Sequence, residues 1–121
     1  MAKSLIDRIR AARQTTVESN GKTFIVRRPT LLEIVDMRGK QINQGEVITR
    51  FVVGWGGFNE IDLVPGGGPE PVPFEPVLFS EYIADHAEHW EPIVNAVLTS
   101  YQDYQAKTED SLKNSTPGSV V

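Results

Sequence analysis

Asp85-His86-Ala87-Glu88-His89 is the densest group of metal-capable side chains in the chain. His86 and His89 stand three residues apart and would share a face of a helix. Helical zinc sites more often use histidines at i and i+4, and they need a third ligand and groups that orient the ligands. The segment is not His-Glu-x-x-His, so the expectation is a polar helix junction capped by Asp85, with no metal. A Ser–His–Asp set can be written from Ser80, His86 and Asp85, but no sharp strand-to-helix turn presents a serine as nucleophile. Glu60 and Asp62 are paired carboxylates on a loop, where solvation is the ordinary outcome. Gly66-Gly67-Gly68 is not followed by a Lys-Ser/Thr pair, which excludes a P-loop. The chain has no cysteine, so thiolate chemistry, disulfides and Cys-based zinc sites are excluded. Trp55 and Trp90 either form a ligand platform or, as their large apolar area favours, anchor the core. These residues point to a scaffold or binding protein rather than an enzyme, with no cofactor.

The elements that would position them come from local pattern. Ser4 is a suitable N-cap for a helix over residues 4–13, with Leu5, Ile6, Ile9 and Ala12 on one face and Asp7, Arg8 and Arg10 toward water. Asn20-Gly21 between β-prone runs predicts a hairpin, with Val17, Phe24 and Val26 on the buried side. Thr30-Leu31-Leu32-Glu33 has the form of a capping box. Its apolar run includes Ile34, Val35 and Met37, and Gly39 is the expected stop. Glu46–Val53 reads as a further helix, although Val52-Val53 also suits a strand, and Gly54-Trp55-Gly56-Gly57 follows as a turn.

Residues 64–76 are too rich in proline and glycine for helix or central strand. Pro73-Phe74-Glu75-Pro76 matches PxxP but lacks basic flanks, which favours a surface loop. Ser80 is the expected N-cap of a helix beginning Glu81-Tyr82-Ile83. After a break between Asp85 and Pro92, a long helix runs to about Lys107. The expected class is α+β: an N-terminal helix, a β-hairpin, then a mainly helical body with a long Pro/Gly-rich loop. Residues 1–109 form one globular domain and 110–121 a flexible C-terminal tail.

Charge is unevenly spread along the chain. Residues 1–50 hold ten Lys/Arg against five Asp/Glu, a net +5, whereas residues 51–121 hold two against eleven, a net −9. Either the two halves attract, within one molecule or between copies, or they are two differently composed solvated surfaces. The basic residues are scattered and carry no nucleic-acid motif, so nucleic acid is not an expected partner. The N-terminus has charges where a signal peptide needs an apolar core. No segment approaches the roughly 20 apolar residues of a membrane span, so no membrane partner is expected.

One order of features resembles a known family. It runs Val26-Arg27-Arg28-Pro29-Thr30, then Phe51-Val52-Val53-Gly54-Trp55-Gly56-Gly57-Phe58, then Pro71-Val72-Pro73-Phe74. The Ser80 helix start, Trp90-Glu91-Pro92-Ile93 and the helix around Tyr101 complete it. This resembles the tail assembly chaperones of long, non-contractile-tailed bacteriophages and prophages, over roughly residues 24–106. The family's loop is usually shorter and often reads Asp-Gly before Pro-Val-Pro-Phe; here it is Asp62-Leu63-Val64-Pro65 with three extra glycines.

The resemblance implies a non-enzymatic protein of the host bacterial cytoplasm. It would bind the aggregation-prone tape measure protein during tail tube assembly and be absent from the mature virion. It also implies, in many members, a frameshifted longer form that contacts the major tail protein. A client needs apolar surface, and Trp55, Phe58, Leu63, Val64, Val77, Leu78 and Phe79 are the expected contact residues. The alternative is that those near the loop close down on the core as a lid. Repeated weak contacts along a long client would favour self-association. A structural tail or head–tail connector protein retained in the virion is the competing class.

Overall fold

Asn20 and Gly21 take φ values of 48° and 79°, the positive angles that a two-residue hairpin loop requires. The computed structural model describes residues 4–115, the side chains of 113–115 excepted. The turn joins β1 (Gln14–Ser19) to β2 (Lys22–Arg27), paired from Ser19↔Lys22 to Gln14↔Arg27. Phe24 and Val26 are buried and Val17 packs against the core, as the alternation predicts.

The helix starts are set largely by side-chain caps. In α1 (Leu5–Ala12), Ser4 Oγ accepts from the Asp7 N–H at 3.1 Å. In α2 (Leu31–Arg38), the Glu33 N–H donates to Thr30 Oγ1 at 3.2 Å and the Thr30 N–H donates back to Glu33 Oε1 at 3.0 Å. This is the expected capping box. Arg27 donates to both oxygens of the same carboxylate, at 2.7 and 2.8 Å, and so ties β2 to α2. That fork, more than any other contact, lowers the Glu33 carboxyl to about 2. Gly39 ends α2 as expected, but at φ −85° rather than in a left-handed conformation. In α3 (Gln44–Phe51), Asn43 Oδ1 accepts from the Glu46 N–H at 2.9 Å.

The chain then passes straight into a third strand, β3 (Val52–Gly56). Val52-Val53 is therefore strand, and Gly54-Trp55-Gly56 extends it rather than forming a turn. β3 runs antiparallel to β2 with Trp55 opposite Phe24 and Gly54 opposite Ile25, giving the order β1-β2-β3. Gly54 belongs in this strand because Ile25 fills the space a side chain would take: a Cβ there would lie 3.0 Å from Ile25 Cδ1.

The Pro/Gly segment is irregular as expected, yet it is pinned at both sides. It follows α4 (Glu60–Leu63). Asn59 bridges Pro71, the Glu60 N–H donates to Glu70 O at 3.0 Å, and the Val72 N–H donates to Phe58 O at 2.9 Å. The next helix, α5 (Pro76–Ile83), begins earlier than the sequence suggested. Pro76 takes the first helical position, where its missing N–H has no partner to lose. Ser80 is thus inside the helix and caps nothing.

A single 3₁₀ turn over Ala87–His89 leads into α6 (Trp90–Ser115), with Pro92 in its first turn. The helix runs beyond Lys107, so residues 110–115, expected in the tail, are helical; residues 116–121 of that expected tail lie outside the described residues. α3, α5 and α6 pack around a core that includes Phe24, Phe51, Phe79, Ile48, Ile93 and Val97. The fold class is α+β.

Gly67 tests the pinned loop. A Cβ there would meet the Glu60 carbonyl oxygen at 2.6 Å and its carbon at 2.7 Å, whereas one at Gly39 would meet nothing within 4 Å. Gly67→Ala is expected to cost about 1–3 kcal/mol through forced backbone movement. Gly39→Ala is expected to leave stability unchanged or slightly raised. Urea unfolding of the two variants beside the parent protein decides this.

Candidate functional site

The chemistry-bearing residues of the 85–89 segment are used up by the fold. His86 Nδ1–H donates to the Tyr82 carbonyl at 2.6 Å, and its ring stacks on Tyr82 at 3.8 Å. His89 is 1% exposed and its ring is bonded on both sides. Nδ1 lies 2.8 Å from Ser19 Oγ and Nε2 lies 3.0 Å from the Tyr82 hydroxyl. In the tautomer protonated at Nδ1, the imidazole donates to Ser19, and Tyr82 donates to Nε2. Ser19 then turns its own hydrogen toward Glu88 O at 3.5 Å. Each buried side-chain polar atom of this Ser19–His89–Tyr82 network has a partner.

Burial lowers the His89 pKa; the Glu88 carboxylate, 3.9 Å from Nε2, opposes this, while His86 and Lys22 add to it. Burial also raises the Tyr82 pKa, which keeps the hydroxyl available as a donor. Ser80 makes no bond with His86, so the set written from Ser80, His86 and Asp85 is not assembled. A Ser–His contact does exist, between Ser19 and His89, seventy residues apart and without a local sequence signal. It has the distance of a nucleophile–base pair, but grooves of about 750, 480 and 380 Å³ are all lined by other residues. The pair braces the hairpin against α5 and α6. Among the described residues, no three His, Asp or Glu side chains converge as metal ligands.

The two tryptophans lie in different places. Trp55 stacks on Phe58 at 4.1 Å, meets Phe74, Phe79 and Tyr82 edge-on, and donates from Nε1 to Val72 O at 2.8 Å. Trp90 donates from Nε1 to Ile83 O at 2.7 Å and lines the 380 Å³ groove with Ile48, Thr49, Ser80 and Ile83. Asp62 is paired with Lys22 at 3.0 Å and accepts from the Asn59 N–H at 2.8 Å. The Asn59 bond, then Lys22, depresses the Asp62 pKa.

The seven expected contact residues separate into two sets. Phe58 and Phe79 are core residues at 2% and 1% exposure, while Trp55 and Leu63 pack against that core and Leu78 is half-buried. Phe79 and Phe58 are thus not available to a partner. For Phe79 the reason is the early start of α5, which puts Phe79, Tyr82 and Ile83 on one inward face; Phe58 is enclosed by the rings of Phe24, Trp55 and Tyr82. Val64 and Val77 remain exposed.

The larger apolar exposure is elsewhere. Leu5, Ile6 and Ile9 on α1, and Leu31, Leu32 and Val35 on α2, lie open to solvent, Leu32 at 81%. The spacing of Leu5, Ile6 and Ile9 predicts a helix face turned away from water. Instead no residue of either helix is buried, and only Met37 of these two helices packs on the core. Arg10 and Arg13 from the end of α1 and Thr30 and Glu33 from α2 face one another across a 480 Å³ cleft that also exposes Val53. Leu31, Leu32 and Val35 lie opposite Glu33 and Met37 around the helix axis, so the apolar face of α2 points outward. No family model, curated protein or solved structure matches this chain. No helix among the described residues is long and apolar enough to cross a membrane.

The buried imidazole sets a pH dependence. Below about pH 6.5, the ordinary histidine value, unfolded His89 takes up a proton that the folded state rejects. Stability is therefore complete above that pH and declines as pH falls toward the lower folded value. The urea midpoint is expected to drop between neutral and mildly acidic pH, before the carboxylates titrate. His89→Gln, which can still bond Ser19 and Tyr82, is expected to flatten this slope. A flat wild-type profile, or an equal slope in the variant, refutes the assignment.

Proposed function

We propose that this chain is a non-enzymatic phage tail assembly chaperone that holds the tape measure protein soluble while the tail tube forms. The family resemblance supplies the client. The observation that carries the assignment is the unpartnered aliphatic surface of α1 and α2, six large side chains exposed on two short helices. A soluble monomer rarely exposes such residues in groups unless another chain covers them. The client surface is accordingly assigned to Leu5, Ile6, Ile9, Leu31, Leu32 and Val35, with Val64 and Val77 outside it. Arg8, Arg10 and Arg38 accompany these residues on α1 and α2 and keep the surface hydrated between encounters. Action in the host cytoplasm and loss from the finished particle belong to the same proposal.

Co-expression with a tape measure protein encoded beside it tests the assignment. The chain is expected to co-purify with that client and raise its soluble fraction. Leu32→Asp with Val35→Asp is expected to abolish both effects. Its unfolding free energy should stay within the small range of surface substitutions, about 0.5 kcal/mol. A client that stays insoluble with the parent chain, or that is retained fully by the double variant, overturns the function or the surface respectively. Presence of the chain in purified particles favours a structural tail role instead.

A further inference from the structure

β1 is an outer strand: it pairs with β2 on one side and, among the described residues, with no strand on the other. The Arg28 N–H donates to Arg13 O at 2.8 Å, which fixes the phase of the ladder. In an antiparallel pair, hydrogen-bonded residues alternate. Thr15, Val17 and Ser19 therefore turn their N–H and C=O groups toward β2. Gln14, Thr16 and Glu18 turn theirs outward, unpaired by any strand.

A groove of about 750 Å³ follows this edge. Gln14, Thr15, Thr16 and Val17 all line it. Alternating side chains cannot all face a groove on one side of a sheet, so the groove runs along the backbone edge itself. Its other wall is one face of α6, including Ala96, Ser100, Tyr104 and Lys107. The stretch from Pro92 to Lys107 is about 22 Å long. Six extended residues, the length of β1, span about 20 Å. Small side chains at Ala96 and Ser100 leave room between the walls.

The lining is basic. Arg13, Arg28 and Lys107 face one carboxylate, Asp103. Arg28 lies 3.6 Å over the Tyr104 ring. Neither Arg13 nor Lys107 is held in an ion pair among the described residues. Two copies meeting edge to edge would gather six such cations against two carboxylates, which disfavours self-pairing here. We infer that this groove takes an extended, acidic segment of a partner protein as a fourth strand. The segment bonds the outward backbone of Gln14 and Thr16 and sets carboxylates against Arg13 and Lys107. The inference concerns a different surface from the α1 and α2 face and stands whatever client that face binds.

Fluorescence anisotropy with the full chain tests this, using a short labelled peptide that alternates Glu and Val and its Lys/Val counterpart. The Glu peptide is expected to bind at low salt and weaken as salt rises; the Lys peptide is expected not to bind. Thr16→Pro removes an N–H that points away from β2, so the existing ladder loses no bond. It is expected to abolish binding with the unfolding midpoint retained. Lys107→Glu, on an exposed position of α6, is expected to weaken binding at least about threefold and keeps the test valid if Thr16→Pro does not fold. Amide NMR shifts are expected to be largest at Gln14 and Thr16. Equal binding of both peptides, no binding of either, or undiminished binding by folded Thr16→Pro overturns the inference. So does a parent dimer that Thr16→Pro converts to monomer, since a second copy would then be the occupant.

Discussion

Four separate segments of the chain meet on the ring of Phe24. Phe58 and Phe79 approach it edge-on at 5.7 and 6.0 Å, and His89 approaches at 5.0 Å. Phe24 is completely buried and sits in the central strand of the sheet. The hairpin, the segment after β3, α5 and the turn before α6 are held against one another through that contact. Aromatic edge-to-face geometry adds direction to what burial alone would leave loose. The Ser19–His89–Tyr82 chain lies beside it and adds a second condition, since a buried polar group left without its partner costs more than a hydrogen bond contributes. Apolar contact drives these elements together, and the polar chain fixes which residues oppose one another.

Lys22 extends this constraint to the surface. Its ammonium donates to Gly57 O at 2.9 Å, pairs with Asp62 at 3.0 Å and lies 5.0 Å over the Phe58 ring. One cation from the basic half thereby closes the hairpin onto the acidic half. The remaining ion pairs between lysine or arginine and a carboxylate join residues of the first fifty. Lys22–Asp62 apart, no lysine or arginine pairs with a carboxylate of the other half among the described residues. The uneven charge remains on the surface, where the basic groove beside β1 is one expression of it.

What the sequence revealed follows from how far each signal reaches along the chain. Asn20-Gly21 dictates a turn through the φ angles of two adjacent residues. Thr30 and Glu33 complete a cap within one helical turn. Both were legible. β3 was not fully legible, because Gly54-Trp55-Gly56 is a poor strand by composition and becomes one only against Ile25 and Phe24. The start of α5 turned on two rival local signals, Pro76 and Ser80, and the inward trio Phe79, Tyr82 and Ile83 decides for Pro76. That shift moved Phe79 from expected partner contact to core. Ser19 and His89 carry no signal of their pairing, since nothing in either neighbourhood names the other. Periodicity likewise showed that α1 has an apolar face but could not show that nothing among the described residues covers it.

The uncovered face bears on why α1 is helical at all. It has eight residues and none is buried. Helices of that length are marginal in water, because the cost of nucleation is spread over few hydrogen bonds. Ser4 supplies a cap and Arg10 suits the negative end of the dipole, each worth about 1 kcal/mol or less. Core burial, the usual source of helix stability, is absent here. A surface that covers Leu5, Ile6 and Ile9 would supply it, at about 25 cal/mol for each Å² of apolar area removed from water. α2 differs, because Met37 and the Arg27–Glu33 fork hold it to the body whether or not Leu31, Leu32 and Val35 are covered. The two helices therefore differ in what holds them: α2 is tied to the body by side-chain contacts, whereas α1 rests on its cap and its own backbone hydrogen bonds.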